Sequence, residues 1–96
     1  MSGSPRAIAS SKHSGTSTRA YEDGAVTAAT KELIGLALSV FSRCEECVAY
    51  HVQSARKRGV TAQEAMEAVK LAVLAGGSVT YPTARNAVEL IDSELS

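Results

Sequence analysis

The sequence is poor in the residues from which large cores are built. It contains no tryptophan, a single phenylalanine and only 4% aromatic residues in a chain of 96 residues. This length predicts one domain rather than two. A domain of this size buries only a modest share of its surface, so its core is expected to be thin. A thin core favours a protein that is supported by association with further copies of itself.

An excess of charge of one sign is also absent, as are long apolar runs. Ten Lys and Arg residues balance ten Asp and Glu residues. Binding to nucleic acid or to an anionic membrane normally requires a basic stripe, and the one basic cluster, Arg56-Lys57-Arg58, suits a helix end instead. No apolar run reaches the roughly 18 residues that a membrane-spanning helix needs. We therefore expect neither nucleic acid nor a membrane among the partners.

Cysteine is scarce, with two residues in the chain. The N-terminal stretch MSGSPRAIASSKHSG lacks the apolar segment of a secretory signal, which predicts a cytoplasmic, reducing location. In that compartment a cysteine pair is more often catalytic, redox-sensing or metal-binding than structural.

Residues 1–20 are rich in Ser, Gly and Thr, and they predict a flexible tail because they offer little apolar surface to bury. We assign no role to His13 within it. Residues 21–96 are predicted to form the domain, and their pattern is helical.

Four helices are predicted. Thr27 is a candidate N-cap for a first helix over AATKELIGLALSVF, which is apolar nearly all round. The Ser42-x-x-Glu45 pattern resembles a capping box and predicts a second helix from Arg43 to Gly59. Its inward-facing residues are expected to be Cys47, Val48, His51, Val52 and Ala55.

A second capping box, Thr61-x-x-Glu64, predicts a third helix that ends at Gly76-Gly77. A last helix is predicted over roughly residues 80–94, with Pro82 in its first turn. The result is a small all-α domain of packed helical hairpins. Because the helices are short and rich in alanine, we expect Leu36 or Val40 to face outward and to be buried between subunits, with burial within one chain as the alternative.

Both cysteines and one of the two histidines lie in Cys44-x-x-Cys47-x-x-x-His51. On an α-helix these three residues fall within an arc of roughly 60°, each about one turn from the next. A helix start favours thiolate over thiol, whereas the neighbouring carboxylates of Glu45 and Glu46 disfavour it. The dipole alone favours Cys44 as the thiolate. His51, four residues after Cys47, is a candidate base.

Glu32 lies within the first, otherwise apolar helix. In one straight helix it would stand about 22 Å from Cys47, too far for any contact. If the chain reverses near Ser42, Glu32 lies ten residues before the turn and His51 nine residues after it. The two side chains would then be level, which places a carboxylate beside an imidazole beside a thiol.

Each of these residues also has an ordinary interpretation. Lys31 and Glu32 can form a solvated pair, and a buried cysteine or histidine is often part of a core. Zinc is the sharper alternative, but structural zinc needs four ligands, so Glu32 or a second chain would have to complete the set. A metal-binding or structural oligomerisation domain therefore stays open as the alternative. We predict no cofactor and no metal ligands.

The stretch KELIGLALSVFSRCEECVAYHVQSARKRGVTAQEAMEAVKLAVLAGG resembles the core of the carboxymuconolactone decarboxylase family. In particular it resembles the branch similar to the alkylhydroperoxidase AhpD. That branch has a pattern of Glu, eleven residues, Cys-x-x-Cys, three residues and His, which Glu32, Cys44, Cys47 and His51 match. The resemblance covers roughly residues 27–95. Some relatives carry a second His just before the later Cys, where this chain has Glu46.

The resemblance implies an all-α fold that assembles as a homo-oligomer, often a trimer or hexamer. It also implies thiol-dependent peroxidase or disulfide reductase chemistry. Cys47 would attack the peroxide, and Cys44 would resolve the resulting sulfenic acid into a disulfide. Glu32, acting through His51, would draw the proton from Cys47. The implied partners are a small-molecule peroxide or disulfide and a thiol reductant.

Overall fold

In the computed structural model, which describes residues 19–96, the apolar stretches form four α-helices. They are α1, Ala28–Phe41; α2, Glu45–Lys57; α3, Ala62–Gly76; and α4, Tyr81–Leu95, with a 3₁₀ turn over Gly77–Thr80 between the last two. There is no β-strand in this range, which confirms the all-α prediction. Most of the predicted tail, residues 1–18, lies outside the described range, and so does His13.

The α1–α2 hairpin brings the two halves of the predicted motif together. The hydroxyl of Thr27 accepts a hydrogen bond from the Thr30 N–H at 3.1 Å, so α1 begins where the sequence predicts. The predicted capping box at Ser42 is wrong, because Ser42 ends α1 and its N–H donates to the Leu38 carbonyl at 2.9 Å. Arg43 then takes a left-handed conformation with φ of 60°, and Cys44 is the N-cap of α2.

The other boundaries follow their sequence signals. Thr61 and Glu64 form the predicted capping box, with side chain to backbone distances of 3.1 and 2.9 Å. Gly59 adopts a positive φ of 78°, which lets the chain leave α2 and turn into α3. Pro82 lies in the first turn of α4, where its missing N–H leaves no hydrogen bond unmade.

The core lies between the four helices. Helix α1 packs on α2 and α3, and α4 covers the other side of both. The prediction that Leu36 or Val40 faces outward is wrong, since both are fully buried. The large apolar side chains that α1 does expose are Ile34, Leu38 and Phe41. None of the helices between residues 19 and 96 is long and apolar enough to cross a membrane.

Candidate active site

The cysteine pair occupies the start of α2. Cys44 and Cys47 form a disulfide, with their Cα atoms 5.2 Å apart, well within the usual span for such a bond. Cys44 is in extended conformation just before the helix, and its sulfur accepts a hydrogen bond from the Cys47 N–H at 3.2 Å. The prediction that Cys47 faces inward is wrong, because Cys47 is exposed. Cys47 therefore lies at the surface, where a small molecule or a second protein can approach it, and Cys44 is half-buried beside it.

Glu32 and His51 meet across the hairpin, as the level placement predicts. His51 Nδ1 lies 2.9 Å from Glu32 Oε1. The carboxylate is almost fully buried at 3% side-chain exposure, and the imidazole is 12% exposed. An ionised carboxylate only accepts, so Nδ1 carries the hydrogen of this contact. The other ring nitrogen, Nε2, is then the one that can take up a proton.

Gly35 makes room for this histidine. It lies one turn after Glu32 on the same face of α1, and a Cβ there would stand 2.5 Å from His51 Cε1 and 2.7 Å from Nδ1. Any larger residue would displace the imidazole. Gly35 was not predicted as a site residue. Its signal was a glycine inside a strong helix, which costs about 1 kcal/mol relative to alanine and therefore indicates close packing at that position.

Two tyrosines flank the His51 ring. The ring centroid of Tyr21 lies 5.2 Å from that of His51, and Tyr50 approaches edge-on at 5.1 Å. Burial raises the pKa of the Tyr21 phenol, and the negative charge of Glu32 and the nearby Tyr50 raise it further. Neither tyrosine was predicted from the sequence. Tyr21 precedes α1 in an irregular segment, so no periodicity pointed to it.

Glu45 attaches the first turn of α2 to α4. Its two carboxylate oxygens accept hydrogen bonds from the Thr83 hydroxyl at 2.8 Å and from the Asn86 amide at 2.6 Å. Thr83 is buried. These contacts fix the helix start that carries Cys47. Local spacing assigned Glu45 to a capping box. It could not reveal Thr83 and Asn86 as the partners of Glu45, because they lie about forty residues later in the chain.

The zinc alternative requires four ligands that converge on one point. Glu32 and His51 contact each other, and Cys44 and Cys47 are bonded to each other. Over the part of the chain that the structure describes, no three His, Cys, Asp or Glu side chains converge in a way that could hold a metal ion.

The fold and the site together define a small all-α protein with a surface disulfide next to a buried carboxylate–imidazole pair. The chain belongs to the carboxymuconolactone decarboxylase family, whose sequence profile matches residues 14–90. The resemblance seen in the sequence is thereby confirmed, and the fold and the Cys-x-x-Cys pair agree with the branch similar to AhpD.

Solved structures similar to this one include those of two family members. A carboxymuconolactone decarboxylase family protein from Legionella pneumophila superposes with a TM-score of 0.79 at 34% identity, over 86% of this chain and 74% of that one. A family member from Thermotoga maritima superposes with a TM-score of 0.81 at 30% identity, over 90% of this chain and 89% of that one. For the Thermotoga protein an involvement in the antioxidative response has been suggested.

Two bacterial proteins that are similar to this chain are described as uncharacterized proteins. One is protein 4 in the cox locus of Paracoccus denitrificans, 33% identical over 72 residues, or 75% of this chain. The chain spans 65% of the length of that relative. The other, from Cupriavidus necator, is 31% identical over 91 residues, which cover 95% of this chain and 80% of the relative.

Proposed function

We propose that the protein is a thiol-dependent peroxidase or disulfide oxidoreductase of the alkylhydroperoxidase type. One observation carries the proposal: a Cys44–Cys47 pair with Cys47 exposed begins the helix on which His51, one turn after Cys47, contacts a buried carboxylate. A thiol becomes a nucleophile only as the thiolate, so it needs a base that an oriented imidazole supplies. Glu32 orients that imidazole.

In the proposed first step, His51 Nε2 takes the proton from the Cys47 thiol. The thiolate attacks one peroxide oxygen, a sulfur–oxygen bond forms and the oxygen–oxygen bond breaks. The leaving alkoxide takes up the proton from His51 and departs as an alcohol, or as water when the substrate is hydrogen peroxide. Cys47 is then a sulfenic acid, oxidised by two electrons.

In the second step, the Cys44 sulfur attacks the Cys47 sulfenic sulfur. The disulfide forms, and the hydroxyl leaves as water with the proton of the Cys44 thiol. A dithiol reductant then restores both thiols by exchange and is itself oxidised to a disulfide. The proposed partners are thus a small peroxide or disulfide and a thiol reductant, in a reducing cytoplasm.

Two considerations support this assignment. The Thermotoga relative, for which an antioxidative role has been suggested, shares the fold over most of both chains. In addition, exposure of Cys47 suits a site that must meet both a peroxide and a reductant. The family name refers to a decarboxylase, but decarboxylation has no need of a disulfide-forming pair.

We also propose that the protein works as a homo-oligomer. Several large apolar side chains are at least half exposed in the single chain, including Leu38 at 59%, Leu71 at 64% and Leu74 at 81%. Helices α3 and α4 border an apolar groove of about 720 Å³, and Leu74 is one of the residues that line it. Exposed apolar surface of this kind is typical of faces that associate.

A peroxide-consumption assay tests the proposed activity. Purified protein is supplied with an organic hydroperoxide and, in parallel reactions, with several small dithiol reductants. We expect turnover that disappears in Cys47→Ser and persists in Lys57→Ala, a substitution of an exposed residue at the C-terminal end of α2. Absence of turnover with every reductant, together with stoichiometric zinc in the purified protein, would support the structural metal-binding alternative instead.

A further inference from the structure

Tyr21 contacts the buried pair from outside the two helices that form it. Its side chain is half-buried, and its hydroxyl lies 2.7 Å from the point where a Cβ on Gly35 would stand. His51 Nδ1 lies 2.7 Å from that same point. The Tyr21 ring is tilted by 35° against the imidazole, with centroids 5.2 Å apart. The phenol oxygen and His51 Nδ1 therefore both lie close to Gly35, on the side of the imidazole that faces α1.

The backbone on both sides of Tyr21 is held in place. The Lys31 ammonium donates to the Ala20 carbonyl at 2.9 Å and to the Glu22 carbonyl at 2.8 Å. The Asp23 carboxylate accepts from the Ala28 N–H at 2.7 Å, which ties the same segment to the start of α1. These contacts fix Tyr21 in an otherwise irregular segment, and two of them come from Lys31, the residue next to Glu32.

We infer that Tyr21 is a positioning residue for the thiol chemistry: its ring shields the Glu32–His51 contact from water and holds the imidazole in one orientation. The inference rests on the proposed function. Water between or beside two charges weakens their attraction, because the effective dielectric constant rises. A ring that excludes water from the pair therefore strengthens the effect of the carboxylate on His51, and through His51 on Cys47.

The groups that face His51 are few. They are Glu32 from α1, Tyr21 from the segment before it and Tyr50 on α2, with Cys47 one turn earlier. No hydrogen bond or ion pair joins His51 to α3 or α4 within residues 19–96. Burial and the Glu32 charge raise the pKa of Tyr21 above its ordinary value of 10.0, so the phenol is neutral around pH 7. A change in the pH profile of Cys47 alkylation around pH 7 therefore reports on the Glu32–His51 pair and not on titration of the Tyr21 phenol.

The test measures how fast each cysteine of the fully reduced protein is alkylated by iodoacetamide in buffers that span neutral pH. Fragmentation mass spectrometry distinguishes Cys44 from Cys47. In Tyr21→Ala we expect the midpoint of the Cys47 profile to rise by about half a pH unit or more, or roughly threefold slower alkylation below the midpoint. Tyr21→Phe should keep the wild-type profile because the ring remains.

Two further variants complete the design. Lys31→Met releases the backbone around Tyr21 and should move the Cys47 midpoint in the same direction as Tyr21→Ala. This variant provides the test if Tyr21→Ala does not fold. Tyr81→Ala is the matched control, because Tyr81 is a half-exposed tyrosine at the start of α4. It should leave the profile unchanged.

His51→Ala separates the inference from the proposed function. If His51→Ala slows Cys47 while folded Tyr21→Ala matches the wild type, the inference is wrong and the proposed function stands. If His51→Ala itself leaves the Cys47 profile unchanged, both are wrong. A Tyr21→Phe profile shifted as far as that of Tyr21→Ala would assign the effect to the hydroxyl and overturn shielding by the ring, and so would an equal shift in Tyr81→Ala.

Discussion

Replacing Glu32 by glutamine tests the site most directly. The change removes one negative charge from a carboxylate that lies 2.9 Å from His51 Nδ1, while an amide oxygen of the same size remains to accept the hydrogen bond. The imidazolium that forms when His51 takes the Cys47 proton then lacks the buried negative charge of Glu32. We expect Cys47 alkylation at neutral pH to slow by roughly tenfold or more, with a smaller effect on Cys44.

The magnitude follows from the geometry. Two unit charges 2.9 Å apart attract by about 6 kcal/mol at an effective dielectric constant near 20. Desolvation of the buried carboxylate offsets much of this attraction. A remainder of only about 1.4 kcal/mol corresponds to a tenfold change. His51→Ala should resemble Glu32→Gln, and the double variant should be little worse than either, because residues that act as one unit are not additive.

Alkylation rates across pH, read separately for each cysteine, provide the assay. Glu46→Gln is a control with the opposite expected sign. Glu46 is exposed, lies next to Cys47 and makes no recorded contact with His51, so loss of its negative charge should favour the thiolate and slightly accelerate alkylation. An unchanged Cys47 profile in folded Glu32→Gln would refute the relay and leave Glu32 as a buried structural partner of His51.

Three further outcomes are expected. Mild peroxide should consume both thiols of the wild type as a disulfide, whereas Cys44→Ser should accumulate sulfenic and then sulfinic acid on Cys47; two free thiols after treatment of the wild type would contradict the resolving role. Light scattering should report a mass well above the 10.0 kDa of one chain, and Leu74→Glu should lower it, so a wild-type monomer at micromolar concentration would refute assembly. Gly35→Ala should slow Cys47 alkylation despite the better helix propensity of alanine, because its Cβ would stand 2.5 Å from His51 Cε1; a wild-type rate would show that the imidazole has room to move.

Local sequence signals predicted the elements of the fold and the pairing of two site residues. Helix starts are marked by the capping hydroxyls of Thr27 and Thr61 and by the missing N–H of Pro82. These signals act within a few residues of the helix start. The contact between Glu32 and His51 followed from counting residues on each side of a turn. The rise per residue of a helix is constant. Nearly equal numbers of residues before and after the turn therefore place two side chains level once the helices run antiparallel.

The details that failed depend on contacts between distant segments. Ser42 and Glu45 have capping-box spacing, yet Glu45 binds Thr83 and Asn86. The chain reverses at Arg43, which takes a left-handed conformation although it is not a glycine. Helix α1 is apolar nearly all round, so the sequence could not tell which side faces the core. The structure buries Leu36 and Val40 and exposes Ile34, Leu38 and Phe41.

The position of Cys44 just outside α2 has a consequence for how the two oxidation states differ. Its backbone is extended and its sulfur caps the Cys47 N–H, so the bond that forms and breaks joins a residue before the helix to one in its first turn. Glu45 fastens that turn to α4 in a manner independent of either sulfur. We therefore expect oxidation and reduction to proceed by rotation of the two side chains while Glu45 keeps the first turn of α2 in place. A reductase would then have to distinguish the two states by the chemistry of the sulfur atoms.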